Sequence, residues 1–348
     1  MVNDFPRALT FDDVLIRPSS SDIEPREASL VAEVARRFFI AIPILSAAMD
    51  RVTGAKMAIA LGKLGGLGVL HRNCTVAQQV VMIKKAKRRG VKIGAACGPF
   101  DAARAKALEN AGCDILIIDC AHGHNKKVIK SARAIKKMLR RPKLVVGNIA
   151  TKEAARDLAL FADGIKVGVG PGSICTTRIV SGVGIPQFSA ILEVASVTKK
   201  YSVPVIADGG IRSSGDIVKA LAAGASAVML GNLLAGTDEA PGTLVIKNGI
   251  QYKEYRGMGS RAALASKLSS DRYLGKGKAM VPEGVEALIA YRGSVKSIIE
   301  NLIGGIQVGM GYIGAKTIPD IGKRAHFVYI TKAAVREGQP HNLDKIIR

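Results

Sequence analysis

One pattern recurs eight times along the chain. A short apolar run rich in β-forming residues is followed by a longer stretch whose apolar residues return every three or four positions. The apolar runs are IPILS (42–46), GLGVL (66–70), VKIGA (91–95), ILIID (115–119), KLVVG (143–147), GIKVG (164–168), VPVIA (203–207) and AVML (227–230). Helical patterns cover 51–63, 75–89, 101–112, 124–140, 151–162, 187–201 and 214–224, and a last one spans 295–304. Apolar strands separated by helices predict a parallel sheet buried on both faces. Eight such units predict an α/β fold of the closed (β/α)8 TIM-barrel type. A doubly wound sheet needs fewer strands and a glycine-rich turn after the first, whereas the first strand here runs into SAAMD. The 348 residues suit one barrel of about 250 residues with extensions, so a single catalytic domain is expected over 1–348.

The segments after the strands read SAAMD, HRN, AACG, DCAHGHN, GNIA, GVGPGSICTTR, DGG and GN. Small, polar and reactive residues collect there and not before the strands. Barrel active sites are built from these C-terminal loops, so the asymmetry predicts an enzyme. The stretch 237–294 is long, polar and glycine-rich, which predicts a lid or binding loop, with a mobile flap over 250–292. The basic tail, 320–348, shows no evident role in the core.

The net charge of +23 raises the question of a polyanionic partner. Its distribution argues for a solvated surface. Lys126, Lys130, Arg133, Lys137 and Arg140 share one helical face, and Val128, Ala132, Ile135 and Leu139 form the opposite one. Nucleic-acid binding is therefore not favoured, and no nucleic-acid motif accompanies the charge. Five cysteines without CxxC spacing fit a reducing, cytoplasmic setting. The N-terminus does not read as a signal peptide, and the apolar stretch 220–236 reads as helix end, strand and loop rather than a membrane span.

Two constellations carry chemistry. Asp208-Gly209-Gly210 ends the seventh strand and Gly231-Asn232 the eighth, the place where barrels bind phosphate on backbone amides, and Ser173 could add a hydroxyl. Cys175 lies in the glycine- and hydroxyl-rich loop GPGSICTTR (170–178). A thiol there can be filler, ligand or nucleophile. Its position at the mouth suits a nucleophile, though a free cysteine is more often buried filler, as Cys74 and Cys113 read. His122 and His124 lie near Cys120, but no second cluster offers metal-ligand spacing.

These segments resemble a known family. LTFDDVLIRP (9–18), SAAMD (46–50), DCAHGH (119–124), VGVGPGSICTTR (167–178), GVGIPQ (182–187), VIADGGIRSSGDI (205–217), AGTDEAPG (235–242) and YRGMGS (255–260) are similar to the IMP dehydrogenase and GMP reductase family. The likeness runs from about residue 6 to residue 342. It implies a (β/α)8 barrel, generally a homotetramer, that oxidises IMP to XMP with NAD+. Cys175 would attack C2 of IMP, hydride would pass to NAD+, and water would release XMP from a covalent thioimidate. Thr177 would assist, and Arg272 and Tyr273 of the flap would activate the water.

The same resemblance implies substrate contacts from Met49, Ser173, Asp208, Gly210, Gly231, Asn232, Tyr255, Gly257, Met258, Gly259 and Glu283. Asp119, Cys120 and Asn148 would lie toward the cofactor. Carbonyls of Gly170, Gly172 and Cys175 would hold K+, joined by Glu337, Gly338 and Gln339 of the partner subunit. The chain departs from the common pattern in three places. A regulatory pair of CBS modules is missing from the point near 84–92, where only KKAKRRG (84–90) stands. Asn232 replaces a common Ser, and Cys120 a common Ser or Thr. GMP reductases also lack the CBS pair. The alternatives are thus reduction of GMP with NADPH, or a basic nucleic-acid-binding barrel without catalysis. The flap sequence SSDRYLGKGKAMVPEGVE favours the dehydrogenase.

Overall fold

The computed structural model of the protein describes residues 5–266, 268 and 281–340. Its centre is a closed barrel of eight parallel strands. They are β1 (Ile44–Ser46), β2 (Leu67–Leu70), β3 (Ile93–Cys97), β4 (Ile115–Asp119), β5 (Lys143–Ile149), β6 (Gly164–Val167), β7 (Val205–Asp208) and β8 (Ala227–Leu230). Each pairs with the next, and β8 pairs with β1 to close the ring. All eight fall on the predicted apolar runs. The helices α1 (Ala55–Lys63), α2 (Val76–Arg88), α3 (Ala102–Asn110), α4 (Lys126–Met138), α5 (Lys152–Ala159), α6 (Gln187–Thr198), α7 (Ser214–Ala222) and α8 (Val295–Ile313) surround it.

Local chemistry sets where the helices begin. The side chains of Thr75, Asp101, Thr151 and Ser213 accept backbone N–H bonds from the first turns of α2, α3, α5 and α7. In α4 the apolar stripe Val128, Ala132 and Ile135 is buried, and Lys126, Lys130, Arg133 and Lys137 face solvent, as the pattern predicts. Burial follows the two-residue period of strands. Ile115, Ile117 and Val145 fill the barrel interior with Leu45, Val69 and Ile206, whereas Leu116, Ile118, Leu144 and Val146 pack outward against the helices.

Three features go beyond the sequence pattern. Strands 32–35 and 38–40 form an antiparallel hairpin whose Ala32, Val34, Ala35 and Ile40 join the interior cluster, so it plugs the barrel's N-terminal end. The tail, predicted to lie outside the core, does contribute to it. Ile321 is buried, as is Ile318 just before the tail, and strand 327–329 pairs with strand 14–16. The Phe327 ring packs edge-on against Phe188 at 4.8 Å. The cause is mixed content: a basic surface hides two apolar positions on a helix of only seven residues. Finally, α8 is nine residues longer than its predicted 295–304 because the apolar period continues to Ile313.

After β8 the chain builds a three-stranded antiparallel sheet from 244–247, 250–256 and 286–290. The stretch expected as a flap over 250–292 thus contains regular structure at both ends. Between α2 and β3 only residues 89–92 intervene, so nothing is inserted at the point expected for CBS modules. No helix among the described residues is long and apolar enough to cross a membrane.

Candidate active site

A cavity of about 270 Å³ opens at the C-terminal end of the barrel. The loops after β1, β4, β6, β7 and β8 line it with Asn148 of β5, and Tyr255, Gly257, Met258, Gly259 and Glu283 form the far wall. Cys175 sits on this cavity and is half-buried, whereas Cys74, Cys97, Cys113 and Cys120 are buried. Burial pushes the Cys113 and Cys74 thiols up, which suits packing roles. The Cys175 thiol donates to the Thr177 hydroxyl at 3.1 Å, and that hydroxyl donates to the Glu283 carboxylate at 2.7 Å. The loop is stitched to the far wall: Thr176 N–H donates to the Glu283 carbonyl at 3.0 Å, and Val285 N–H to Ile174 at 3.1 Å. The Cys175 thiol is thereby held on a fixed backbone.

The expected phosphate end lies beside it. Gly210, Gly231 and Asn232 line the cavity, and among the described residues their N–H groups donate to no protein acceptor. A short helix, 232–235, starts at this point. Ser173 and Tyr255 both line this end, and burial pushes the Tyr255 phenol up to about 12, so its hydroxyl stays protonated. Met49, Gly257, Met258 and Gly259 complete the wall, so every expected substrate residue lines one cavity.

Of the expected cofactor residues, Cys120 and Asn148 line the cavity. Asp119 lies deeper, 2 % exposed, because its position in β4 points into the barrel. The carbonyls of Gly170 and Cys175 accept no hydrogen bond among the described residues, and the Gly172 carbonyl accepts one from Cys175 N–H. Such oxygens fit a hard monovalent cation. Glu337, Gly338 and Gln339 are exposed at the end of helix 332–337 and do not line the cavity. Arg272 and Tyr273 lie outside the described residues. His122 is exposed and His124 pairs with Asp157 at 3.2 Å; among the described residues no His, Cys, Asp and Glu cluster could hold a metal.

Sequence reasoning missed Lys166. It is 1 % exposed and stands inside the barrel on β6. Its ammonium reaches Asp119 at 3.1 Å, Asp208 at 2.5 Å and the Asn148 side-chain oxygen. Asn148 in turn donates to Asp208 at 2.9 Å. Gly147, across the ladder on β5, makes room: a Cβ there would stand 2.7 Å from the Lys166 Cβ. The signal was present, since GIKVG places one charge on the inward face of an apolar strand. A buried charge persists only when paired and hydrogen-bonded.

The comparisons with known proteins agree with this geometry. A family model described as IMP dehydrogenase / GMP reductase domain matches residues 8–341. The chain is 39% identical to the inosine-5'-monophosphate dehydrogenase of Halobacterium salinarum, over 97% of this chain and 94% of that protein. It is 40% identical to that of Cryptosporidium parvum, over 97% and 96%, and 40% identical to that of Borreliella burgdorferi, over 97% and 98%. The alignment with the Halobacterium protein runs over 470 positions, so that relative carries segments this chain of 348 residues lacks. The cysteine loop, the two glycine turns and the matched span all meet in one barrel mouth, and the chain belongs to the IMP dehydrogenase / GMP reductase family.

Proposed function

We propose that the protein oxidises IMP to XMP. The observation that carries this reading is the chain Cys175–Thr177–Glu283, set in the same cavity as the unpaired N–H groups of Gly210, Gly231 and Asn232. The ribose phosphate rests on those amides, with the Tyr255 and Ser173 hydroxyls beside it, and Asp208 faces the ribose. This places the purine between Met49 and Met258 and its C2 over Cys175. Anchoring the phosphate far from the reacting carbon supplies orientation.

The Cys175 sulfur attacks C2 as the thiol proton passes to Thr177 and on toward Glu283. Asp119, Cys120 and Asn148 would lie toward NAD+, which would supply the acceptor for the hydride leaving C2. Cys120 and Asn148 line the cavity, and Asp119 lies deeper in β4. The resulting cysteine-linked purine is released by water, which Arg272 and Tyr273 would activate, as the resemblance implies. The carbonyls of Gly170, Gly172 and Cys175 would hold a monovalent cation, which would fix the loop's shape. Glu337, Gly338 and Gln339, exposed and away from their own cavity, are presented for the partner subunit of a homotetramer.

A paired assay with potassium present tests this reading. IMP with NAD+ is followed for NADH, and GMP with NADPH for loss of NADPH. NADH formation in the first alone is expected. NADPH consumption in the second alone would make the protein a reductase. Cys175→Ala abolishes the covalent adduct by mass spectrometry, and Arg272→Ala slows hydrolysis far more than hydride transfer in rapid-mixing traces.

A further inference from the structure

Two neighbouring residues do no chemistry in the reaction above, yet each adjoins a wall of the purine pocket. Asp50 follows Met49 in the loop after β1, and Arg256 precedes Gly257, Met258 and Gly259. They are 206 positions apart in sequence and meet at the cavity's edge. Arg256 Nη2 donates to Asp50 Oδ2 at 2.5 Å, and Nε lies 3.2 Å from each carboxylate oxygen. Asn73, from the loop after β2, donates to the same carboxylate at 2.7 Å. The two side chains are 8% and 21% exposed, so this is a largely desolvated pair.

A second contact runs beside it with the charges reversed. Arg51 reaches Glu254 at 3.3 Å, so loop 49–51 and strand 250–256 present alternating, complementary signs. Burial raises the Asp50 carboxyl, but hydrogen bonds from Arg256 and Asn73 outweigh it and hold the group below the usual carboxylate range. Asn73 is also 2.5 Å from the Ser266 hydroxyl, which ties the same node to the helix 261–265.

We infer that Asp50 and Arg256 are positioning residues that clamp the loop bearing Met49 to the strand bearing Gly257–Gly259, and so set the width of the purine slot. Neither touches the reacting atoms, and of the two ion pairs that join these walls theirs is the more buried, since the Arg51 and Glu254 side chains are 29% and 42% exposed. This inference rests on the IMP reading. A clamp of this kind governs binding of the base rather than the nucleophile's reactivity, because Cys175 is held through Thr177 and the Glu283 segment.

The test is alkylation of Cys175 by iodoacetamide with and without IMP, in the intact protein. Asp50→Asn, Arg256→Gln and the double variant are compared with wild type. The unliganded alkylation rate is expected to stay within about twofold in all of them, and each single variant needs about tenfold more IMP for half-protection. The double variant is expected to be no worse than the poorer single one, since the two residues act as one unit. Arg256→Lys, which keeps the charge but loses the fork, recovers part of the protection. Protection of the variants at the wild-type IMP concentration, or multiplying effects in the double variant, overturns the clamp. A changed unliganded rate overturns it too, since the pair would then be general scaffolding. If wild type itself shows no protection by IMP, the functional reading fails instead.

Discussion

The Thr177 hydroxyl donates to the Glu283 carboxylate at 2.7 Å, and so ties the cysteine loop to the strand segment across the cavity. Because the Cys175 thiol donates to that same hydroxyl, the three groups form one proton path ending on an acceptor. Glu283→Gln keeps the shape but removes the charge that receives the thiol proton in the proposed reaction. It is expected to lower kcat/KM by about 10²-fold, with Thr177→Val close behind. Each is compared with wild type by initial rates. Equal loss of IMP protection in the alkylation assay would instead assign Glu283 to binding.

Two glycines of the site separate folding from binding. Gly168 holds φ near +149°, and a Cβ there would come within 2.1 Å of the Asp208 carbonyl oxygen. Gly168→Ala is expected to destabilise by about 3 kcal/mol, because both the backbone and its neighbour must shift. Gly231 carries no such backbone demand; its Cβ would point at the Tyr255 hydroxyl from 3.1 Å. Gly231→Ala is expected to leave the melting temperature nearly unchanged and raise KM for IMP. Urea melts and substrate titrations of the two variants decide this. A folding defect at Gly231 would contradict the account.

The barrel was legible because each apolar strand run has one length and each helix one stripe, and both periods survive in the raw sequence. Ile115 to Asp119 and Ala227 to Leu230 have the bounds that pattern gives. The cavity-lining residues were legible through motifs that follow the strands. What escaped was pairing between distant segments. Strand 14–16 and strand 327–329 are three residues each, too short for a period, and only their union makes them strands. Lys166 escaped for a related reason. Its meaning depends on Asp119 and Asp208, which a linear pattern does not bring to its side.

Glu109 predicts part of the acid response. The Lys106 ammonium donates to it at 2.7 Å, and the N–H groups of Arg140 and Arg141 at 2.7 and 3.0 Å. Burial raises this carboxyl, yet the Lys106 bond and the two backbone bonds prevail and bring it to about 2. A carboxyl depressed on folding stabilises the protein above its ordinary range and loses that contribution as pH falls from about 5 toward 2. Glu109→Gln is expected to cost about 2 kcal/mol at neutral pH and to flatten that part of the stability profile. Denaturant midpoints measured from pH 7 to pH 3 check it. Parallel profiles for wild type and variant would remove Glu109 from the account.

Lys166 gives the sharpest test of the buried network. Its ammonium is the shared cation of Asp119 and Asp208, and its side chain is only 2% exposed. Lys166→Met keeps the volume and removes the charge, which leaves two carboxylates facing each other in the barrel mouth. Breaking one partner of a buried pair costs about 3–5 kcal/mol, and Asp208, at 20% side-chain exposure, places the expectation at the lower end. Converting Asp119 to Asn in that background removes one of the two facing negative charges, so the double variant is expected to be more stable than Lys166→Met alone. The ordering is the informative part. If the two substitutions add their costs, Asp119 is stabilised by something other than Lys166. If they offset, the charge row through β4, β6 and β7 is a single unit, and its disruption will also raise KM for IMP through the displaced Asp208.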